Sequence, residues 1–425
     1  MKQKIKYSKK HNPMFKNTYF FWVLILIFSI GCKTKTPILY NPQILESNIP
    51  TETFKKSDIV VAASRFSQYL PLLTQKKVGI IANQGSVIYN SKNQKQIHLI
   101  DTLLSLNINI VKVFSPEHGF RGTADAGELV QDEIDIQTGL KLVSLYGSNK
   151  KPNPDQLAGI DVLIFDLQDV GVRFYTYIST LHYVMEAAAE QNIPLIILDR
   201  PNPNSYYIDG PVLNPTFKSF VGMHPVPVVY GMTIGEYAQM INGEKWLKKG
   251  IQCQLNVIKI LHYNHKSKYI LPVKPSPNLP NAKSINLYPS LCFFEGTAIS
   301  CGRGTDKQFQ LFGSPQLPEI IYKYQFTPQS NEGAKQPLFQ GQICNGLNLE
   351  MQPKLNQLNL KWLQDSYMNH PDKTTFFNDY FNTLAGNDQL KIQIASGISM
   401  DEIRETWQPQ LEIFKKIRSK YLLYP

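Results

Sequence analysis

The chain has 425 residues, 43% of them hydrophobic, and a formal charge of +11. That length and apolar content suit one or two globular domains with a substantial core and exclude a disordered or fibrous chain. The charge gives no argument for nucleic acid: Lys2, Lys4, Lys6, Lys9, Lys10 and Lys16 all precede the first acidic residue, and removing these six from +11 leaves +5, an ordinary excess for a body of this size.

The N-terminal lysines lead into an apolar stretch from Tyr19 to Ile30 that ends in small residues before Cys32. A membrane-spanning helix needs about 20 apolar residues, so this stretch is too short. A basic segment, a short apolar run and a small residue before cysteine match a lipoprotein signal peptide over residues 1–31, with lipid then carried by Cys32. The pattern departs at Ser29, where such signals have an aliphatic residue; an uncleaved N-terminal anchor is the alternative. Both readings put the body outside the cytoplasm, in the periplasm or at the cell surface, held to a membrane. Residues 32–57, polar and punctuated by proline, read as a tether. Among Cys253, Cys292, Cys301 and Cys344 no pair has C-x-x-C spacing and no histidine pair stands beside them at ligand spacing, so no zinc site is expected. An exported body permits a disulfide, and Cys292 and Cys301 can be paired or remain buried thiols.

From residue 77 the chain alternates. "KVGIIAN" is a short β-branched run, "QIHLIDTLLSLN" has apolar residues at helical spacing, and "NIVKVF" is strand-like. "KLVSLYG", a turn with a short helix, "DVLIFDL", the helical "YISTLHYVMEAAAEQN" and the apolar "PLIILDR" continue the pattern. Residues 58–275 therefore read as a Rossmann-like α/β domain with a parallel sheet. The runs lead into "ANQGS", "SPEHGFRG", "YGSNKKP", "DLQDVGVRFYTY" and "DRPNPN", and in open α/β sheets ligands bind outside the carboxyl ends of the strands. There is no G-x-G-x-x-G after the first strand, no P-loop and no G-x-S-x-G elbow, which argues against a dinucleotide, a nucleoside triphosphate and a serine hydrolase of the usual kind. After residue 275 the alternation stops. "PSPNLPNAKSINLYPS" is loop-like, "FFEGTAISCGRGTDKQF" sets a carboxylate beside a glycine-arginine loop, and the last 25 residues form an amphipathic helix with an aromatic end. Residues 276–425 read as a smaller α+β domain.

Glu117, Asp166, Asp169, Asp199 and Glu295 all fall at strand ends or in glycine loops. A pair of carboxylates is what glycosidic bond cleavage requires, one protonating the leaving oxygen while the other activates water or attacks the sugar. A strand-end carboxylate also serves to cap a helix or pair with an arginine, and Asp199, beside Arg200, fits that structural role. Glu117 sits between proline and histidine with no apolar neighbour to pack beneath, which favours chemistry. His118 would tune Glu117, bond a substrate or hold the loop. Arg121, Arg173 and Arg303 could converge on an anionic ligand, since guanidinium forks match carboxylates; each alone is equally an ion-pair partner. Tyr175 and Tyr177 offer faces for a sugar ring, sharing a side only if the segment is extended, with core packing as the alternative.

Taken together, "SPEHGFRG", "SLYG", "FDLQDVGVRFYTYISTLHYVMEAAAE", "LDRPNPN", "SFVGMHPVPVVYGMTIGEYA", "PSPNLP", "EGTAISCGRGT" and "RSKYLLYP" resemble the exo-β-N-acetylmuramidase family, from about residue 77 to the C-terminus. The resemblance implies an exported glycosidase that needs no cofactor or metal and has its site between the Rossmann-like and C-terminal domains. It implies release of N-acetylmuramic acid from the non-reducing end of peptidoglycan fragments such as MurNAc-GlcNAc. Carried over by motif, Glu117 is the general acid/base, with Asp169 or Glu295 as its partner in catalysis. Asn83, His118, Arg121, Arg173, Tyr175, Asn278 and Arg303 match positions of the cleft, where they would bind substrate. An arginine fork would read the lactyl carboxylate that separates N-acetylmuramic acid from N-acetylglucosamine. The chain departs from the family pattern in "ANQGS", which lacks a threonine before glycine, and at Ala298, where a polar residue is common.

Two other functions fit the same residues. A lipoprotein that binds muropeptides without cleaving them would need the arginines and aromatics but not Glu117. A metal-dependent phosphoester or amide hydrolase could use the same carboxylates and histidine, and a strong chelator would inactivate it.

Overall fold

A computed structural model describes residues 58–90, 95–117, 119–120 and 133–425, all in one compact unit. In chain order the strands are β1 (Val78–Ala82), β2 (Val87–Asn90), β3 (Lys95–His98), β4 (Ile110–Ser115), β5 (Glu133–Ile134), β6 (Lys141–Ser144), β7 (Val162–Asp166), β8 (Leu195–Leu198), β9 (Leu255–Ile258), β10 (Leu311–Ser314), β11 (Tyr324–Phe326) and β12 (Cys344–Asn348). The helices are α1 (Phe66–Leu73), α2 (Leu99–Ser105), α3 (Pro154–Leu157), α4 (Tyr177–Glu190), α5 (Ile234–Gly243), α6 (Ala282–Leu291), α7 (Lys361–Asn369), α8 (Phe381–Ala385), α9 (Gln389–Ala395) and α10 (Met400–Arg418).

The apolar runs "VGIIA", "VLIFD" and "LIIL" become β1, β7 and β8, buried along their whole length, as strands covered on both faces must be. The main sheet has the order β5-β6-β4-β1-β7-β8-β9. Six strands are parallel, and β5 pairs antiparallel with β6 at one edge. Counted along the chain, the parallel strands lie in the order 3-2-1-4-5-6, the doubly wound arrangement whose direction reverses between the first and fourth. Here those are β1 and β7, in register from Val78↔Val162 to Ala82↔Asp166. The α/β reading with a parallel sheet is thus the observed architecture.

Alternate side chains of each strand feed two cores. Ile80, Val113, Ile164 and Ile196 pack with Phe66 and Tyr69 of α1 and Leu103 of α2. Ile81, Phe114, Phe165 and Ile197 pack into a larger core with α4, α5 and the Trp407, Leu411 and Phe414 stripe of α10. Both halves of the chain therefore build the larger core.

The second half carries the antiparallel sheet β10-β12-β11 and helices α6 to α10. The α10 helix starts in a capping box between Ser399 and Glu402 and ends in Lys415, Lys416 and Arg418, an arrangement that satisfies terminal N–H groups and complements the helix dipole. The chain then straps back over the first half: the Tyr424 hydroxyl donates to Asp199 at 2.7 Å, and the Leu423 N–H to Glu236 at 2.8 Å.

Two local expectations fail. The segment read as loop-like, residues 275–290, enters α6 at Ala282, started by a capping box between Asn281 and Ser284. The helical spacing in residues 96–107 yields a helix only from Leu99, because Lys95–His98 is drawn into a hairpin with β2. Strand pairing overrides the local pattern there.

Candidate active site

The loop after β7 decides what the site contains. β7 ends at Asp166, whose carboxylate takes a bidentate pair from Arg200, Nε at 2.6 Å and Nη2 at 2.8 Å, both residues buried. Asp199 accepts from Thr233 Oγ1 at 2.7 Å and the Gly235 N–H at 2.9 Å, so it caps the start of α5. Burial pushes its carboxyl up to about 7, against three hydrogen bonds that favour the anion. Both acids are structural.

Asp169, expected as a partner in catalysis, lies further along this loop. It is buried beside Tyr230, whose hydroxyl donates to Oδ2, and the same oxygen accepts the Gly171 N–H at 2.7 Å. Gly171 itself adopts φ +75°, and a Cβ there would come within 2.2 Å of the Asn202 side chain, so only glycine closes this turn. Desolvation raises the Asp169 carboxyl to about 6, outweighing those hydrogen bonds. Asp169 does not line the cavity in which Glu117 stands.

Arg173, expected to bind substrate, follows in the same loop. Its guanidinium is wholly buried and donates to four backbone carbonyls, Nη1 to Pro211 and Val226 and Nη2 to Leu384 and Ala385, at 2.8–2.9 Å. Burial without an acid partner lowers it to about 9. This arginine ties the β7 loop to the end of α8 and does not line the cavity, and its Nε is buried without a partner. Asn83 is also buried, and its Nδ2 donates to the Tyr177 hydroxyl at 2.6 Å; it stands behind a cavity-lining ring without lining the cavity itself.

The cavity lies over the carboxyl ends of the strands and has a volume of about 360 Å³. Its lining brings together Glu117, Tyr175, Asn278, Glu295 and Arg303 from the sequence-derived set. Glu117, two residues beyond β4, accepts a hydrogen bond from Thr176 Oγ1 at 2.7 Å. Tyr175 and Tyr177 both face the cavity although the segment turns into α4 between them, their rings in edge contact at 4.6 Å. The Tyr175 hydroxyl donates to the Pro275 carbonyl at 2.7 Å, joining the β7 loop to the segment that carries Asn278. Asn278 Nδ2 donates to the Gly333 carbonyl at 2.5 Å, while its Oδ1 is buried without a partner.

Glu295 enters from the turn after α6. Arg303 holds its Oε1 through Nε at 2.6 Å and Nη2 at 2.5 Å. The Cys292 and Cys301 thiols also approach the carboxylate, at 3.7 and 4.0 Å. All four described cysteines are free and buried, and burial together with Glu295 pushes the Cys301 thiol up to about 12. Arg303 is raised despite desolvation, because Glu295 and Cys301 favour its charge. Tyr380 is raised by burial and then by Cys292, Glu295 and Glu117, so its hydroxyl lies within electrostatic reach of both cavity carboxylates.

Sequence reasoning missed Lys150, Thr176, Phe220, Tyr288, Phe309 and Tyr380, all in the lining. Lys150 belongs to "YGSNKKP", a loop after a strand, so the strand-end rule was a usable signal there. Tyr380 had none. His118, Arg121 and Cys32 lie outside the described residues.

A doubly wound α/β body with two carboxylates and a wall of aromatic rings in one cavity is the equipment of a glycoside hydrolase. Two family models match the chain consecutively: exo-beta-N-acetylmuramidase NamZ, N-terminal, over residues 78–283, and its C-terminal counterpart over residues 286–424. The chain belongs to the exo-beta-N-acetylmuramidase NamZ family and is a glycosidase. It is 38% identical over 385 residues to the peptidoglycan beta-N-acetylmuramidase NamZ of Bacillus subtilis (strain 168), covering 84% of this chain and 89% of that one. Two crystal structures of DUF1343 family proteins from Bacteroides fragilis NCTC 9343 are also similar. One has TM-score 0.78 and 43% identity, covering 87% of this chain and 99% of the other. The second has TM-score 0.73 and 28% identity, covering 87% and 100%.

Proposed function

We propose that this enzyme releases N-acetylmuramic acid from the non-reducing end of peptidoglycan fragments, with Glu117 as general acid/base. The observation that carries this reading is the Glu117 carboxylate in the wall of the aromatic cavity, oriented by Thr176 at 2.7 Å. Peptidoglycan is the substrate named for the Bacillus subtilis relative. A pyranose ring stacks on accessible aromatic faces such as those of Phe220 and Tyr380 in the lining. Glu295 is the better second carboxylate, because it shares the cavity with Glu117 whereas Asp169 is sealed beneath Tyr230. Arg303 would hold Glu295 in position through the reaction.

The test is product identification. Incubated with MurNAc-β-1,4-GlcNAc in the presence of a strong chelator, the purified protein should release N-acetylmuramic acid and N-acetylglucosamine. Binding of the disaccharide with no cleavage would favour a muropeptide-binding protein, and turnover lost only with the chelator would favour a metal-dependent hydrolase.

The N-terminal sequence supports an exported, lipid-anchored enzyme modified at Cys32. Among the described residues no helix is long and apolar enough to cross a membrane. Cells given labelled palmitate should label the protein but not its Cys32→Ser variant; equal labelling of the two would reject the anchor.

A further inference from the structure

We infer that Lys150 is the residue that distinguishes N-acetylmuramic acid from N-acetylglucosamine, by pairing its ammonium with the lactyl carboxylate. This rests on the function proposed above and goes beyond it, because neither the family motifs nor the catalytic assignment uses Lys150.

The argument is one of charge inside the cavity. Among the described lining residues the acids are Glu117 and Glu295 and the cations are Arg303 and Lys150. An anionic sugar entering beside two carboxylates needs a positive partner. Arg303 is already committed, with Nε and Nη2 both on Glu295 Oε1. Arg173, the other described arginine of the sequence-derived set, spends its guanidinium on four buried carbonyls. Lys150 differs from both. It is half-buried, no described carboxylate pairs with it, and its Nζ stands 4.7 Å from the centroid of the Phe220 ring, itself in the lining.

The loop that carries Lys150 is built to hold it there. The neighbouring Lys151 pairs with Glu186 and Glu190 of α4, each at 2.7 Å. Asn149 Nδ2 donates to the Ser144 carbonyl at 2.7 Å, fixing the loop to the end of β6. Phe220 lies between the Tyr146 ring at 6.1 Å and the Tyr183 ring at 6.4 Å, so the aromatic floor under the ammonium is itself packed. Two adjacent lysines thus divide the work: Lys151 anchors the loop on a helix, and Lys150 presents a charge to the cavity. A cation resting on a ring keeps its donors free for an incoming carboxylate.

The test pairs a change in the protein with the matching change in the substrate. Wild-type enzyme and Lys150→Met are assayed on p-nitrophenyl β-N-acetylmuramide and on its lactyl methyl ester, which has the same ring and no charge. The wild type should favour the acid, and the acid-over-ester ratio of kcat/KM should shrink by about 10- to 100-fold in the variant, the scale of one charge-assisted hydrogen bond. The loss should appear mainly in KM, as for binding made equally in ground and transition states, and Lys150→Arg should recover most of the ratio. A wild type that cleaves acid and ester equally well overturns the inference without any variant, and so does an undiminished ratio in a folded Lys150→Met. If the wild type cleaves neither compound, the proposed function fails. Calorimetric titration with N-acetylmuramic acid and its methyl ester then still tests Lys150, through the same 10- to 100-fold ratio in Kd.

Discussion

Two groups of acidic residues crowd the carboxyl ends of the parallel strands, and they differ in access. Asp166, Asp169 and Asp199 lie in a sealed layer against the sheet, held by Arg200, Tyr230, Thr233 and Tyr424. Glu117 and Glu295 stand one layer out, in the wall of a cavity with tyrosines around them. Asp166 and Asp169 take their donors from within the first half of the chain, and Asp199 also receives the C-terminal tail through Tyr424, while the cavity acids line open space. In a fold of this kind a carboxylate at a strand end is insufficient to mark a site; what separates the two groups is whether protein donors or an open cavity occupy the space beyond the side chain.

That contrast can be broken by substitution. Removing the buried guanidinium with Arg173→Met takes a donor from each of four carbonyls and should cost about 3 kcal/mol or more of stability, read from the urea midpoint. Unchanged stability would show that those contacts do not join the halves. Asp169 should act on stability through pH. Its carboxyl titrates near 3.8 in an unfolded chain and about 6 in the folded one, so the unfolded chain loses its proton first. Its contribution is therefore favourable at low pH and lost as pH rises from about 4 to about 6. Asp169→Asn should flatten that part of the stability curve by about 3 kcal/mol, and parallel curves for parent and variant would contradict the assignment. The cavity side should respond in rate. Thr176→Val removes the donor that orients Glu117 and should lower kcat about 10-fold while the urea midpoint hardly moves; a variant with full kcat would separate Thr176 from catalysis.

Much of this organisation was legible in the sequence. Apolar runs alternating with amphipathic helices specify a parallel sheet, and the strand-end rule brings Glu117 and Tyr175 to the cavity's edge. The glycine-arginine loop after "FFEG" likewise puts Glu295 and Arg303 together. What sequence cannot supply is the set of long-range donors and acceptors that claims a polar group. Four carbonyls from three distant segments close around Arg173, and Tyr230 donates to Asp169, contacts that no local pattern announces. Lys150 and Lys151 are indistinguishable as letters. Only the position of α4 makes one an anchor and leaves the other facing the cavity.

The most direct test of the central claim compares the wild type with Glu117→Gln on MurNAc-β-1,4-GlcNAc, measuring released N-acetylmuramic acid and the urea midpoint of each protein. The account predicts a loss of at least about 100-fold in kcat, as expected when a general acid/base is removed, with the midpoint unchanged. A Glu117→Gln protein that turns over at the wild-type rate would contradict it.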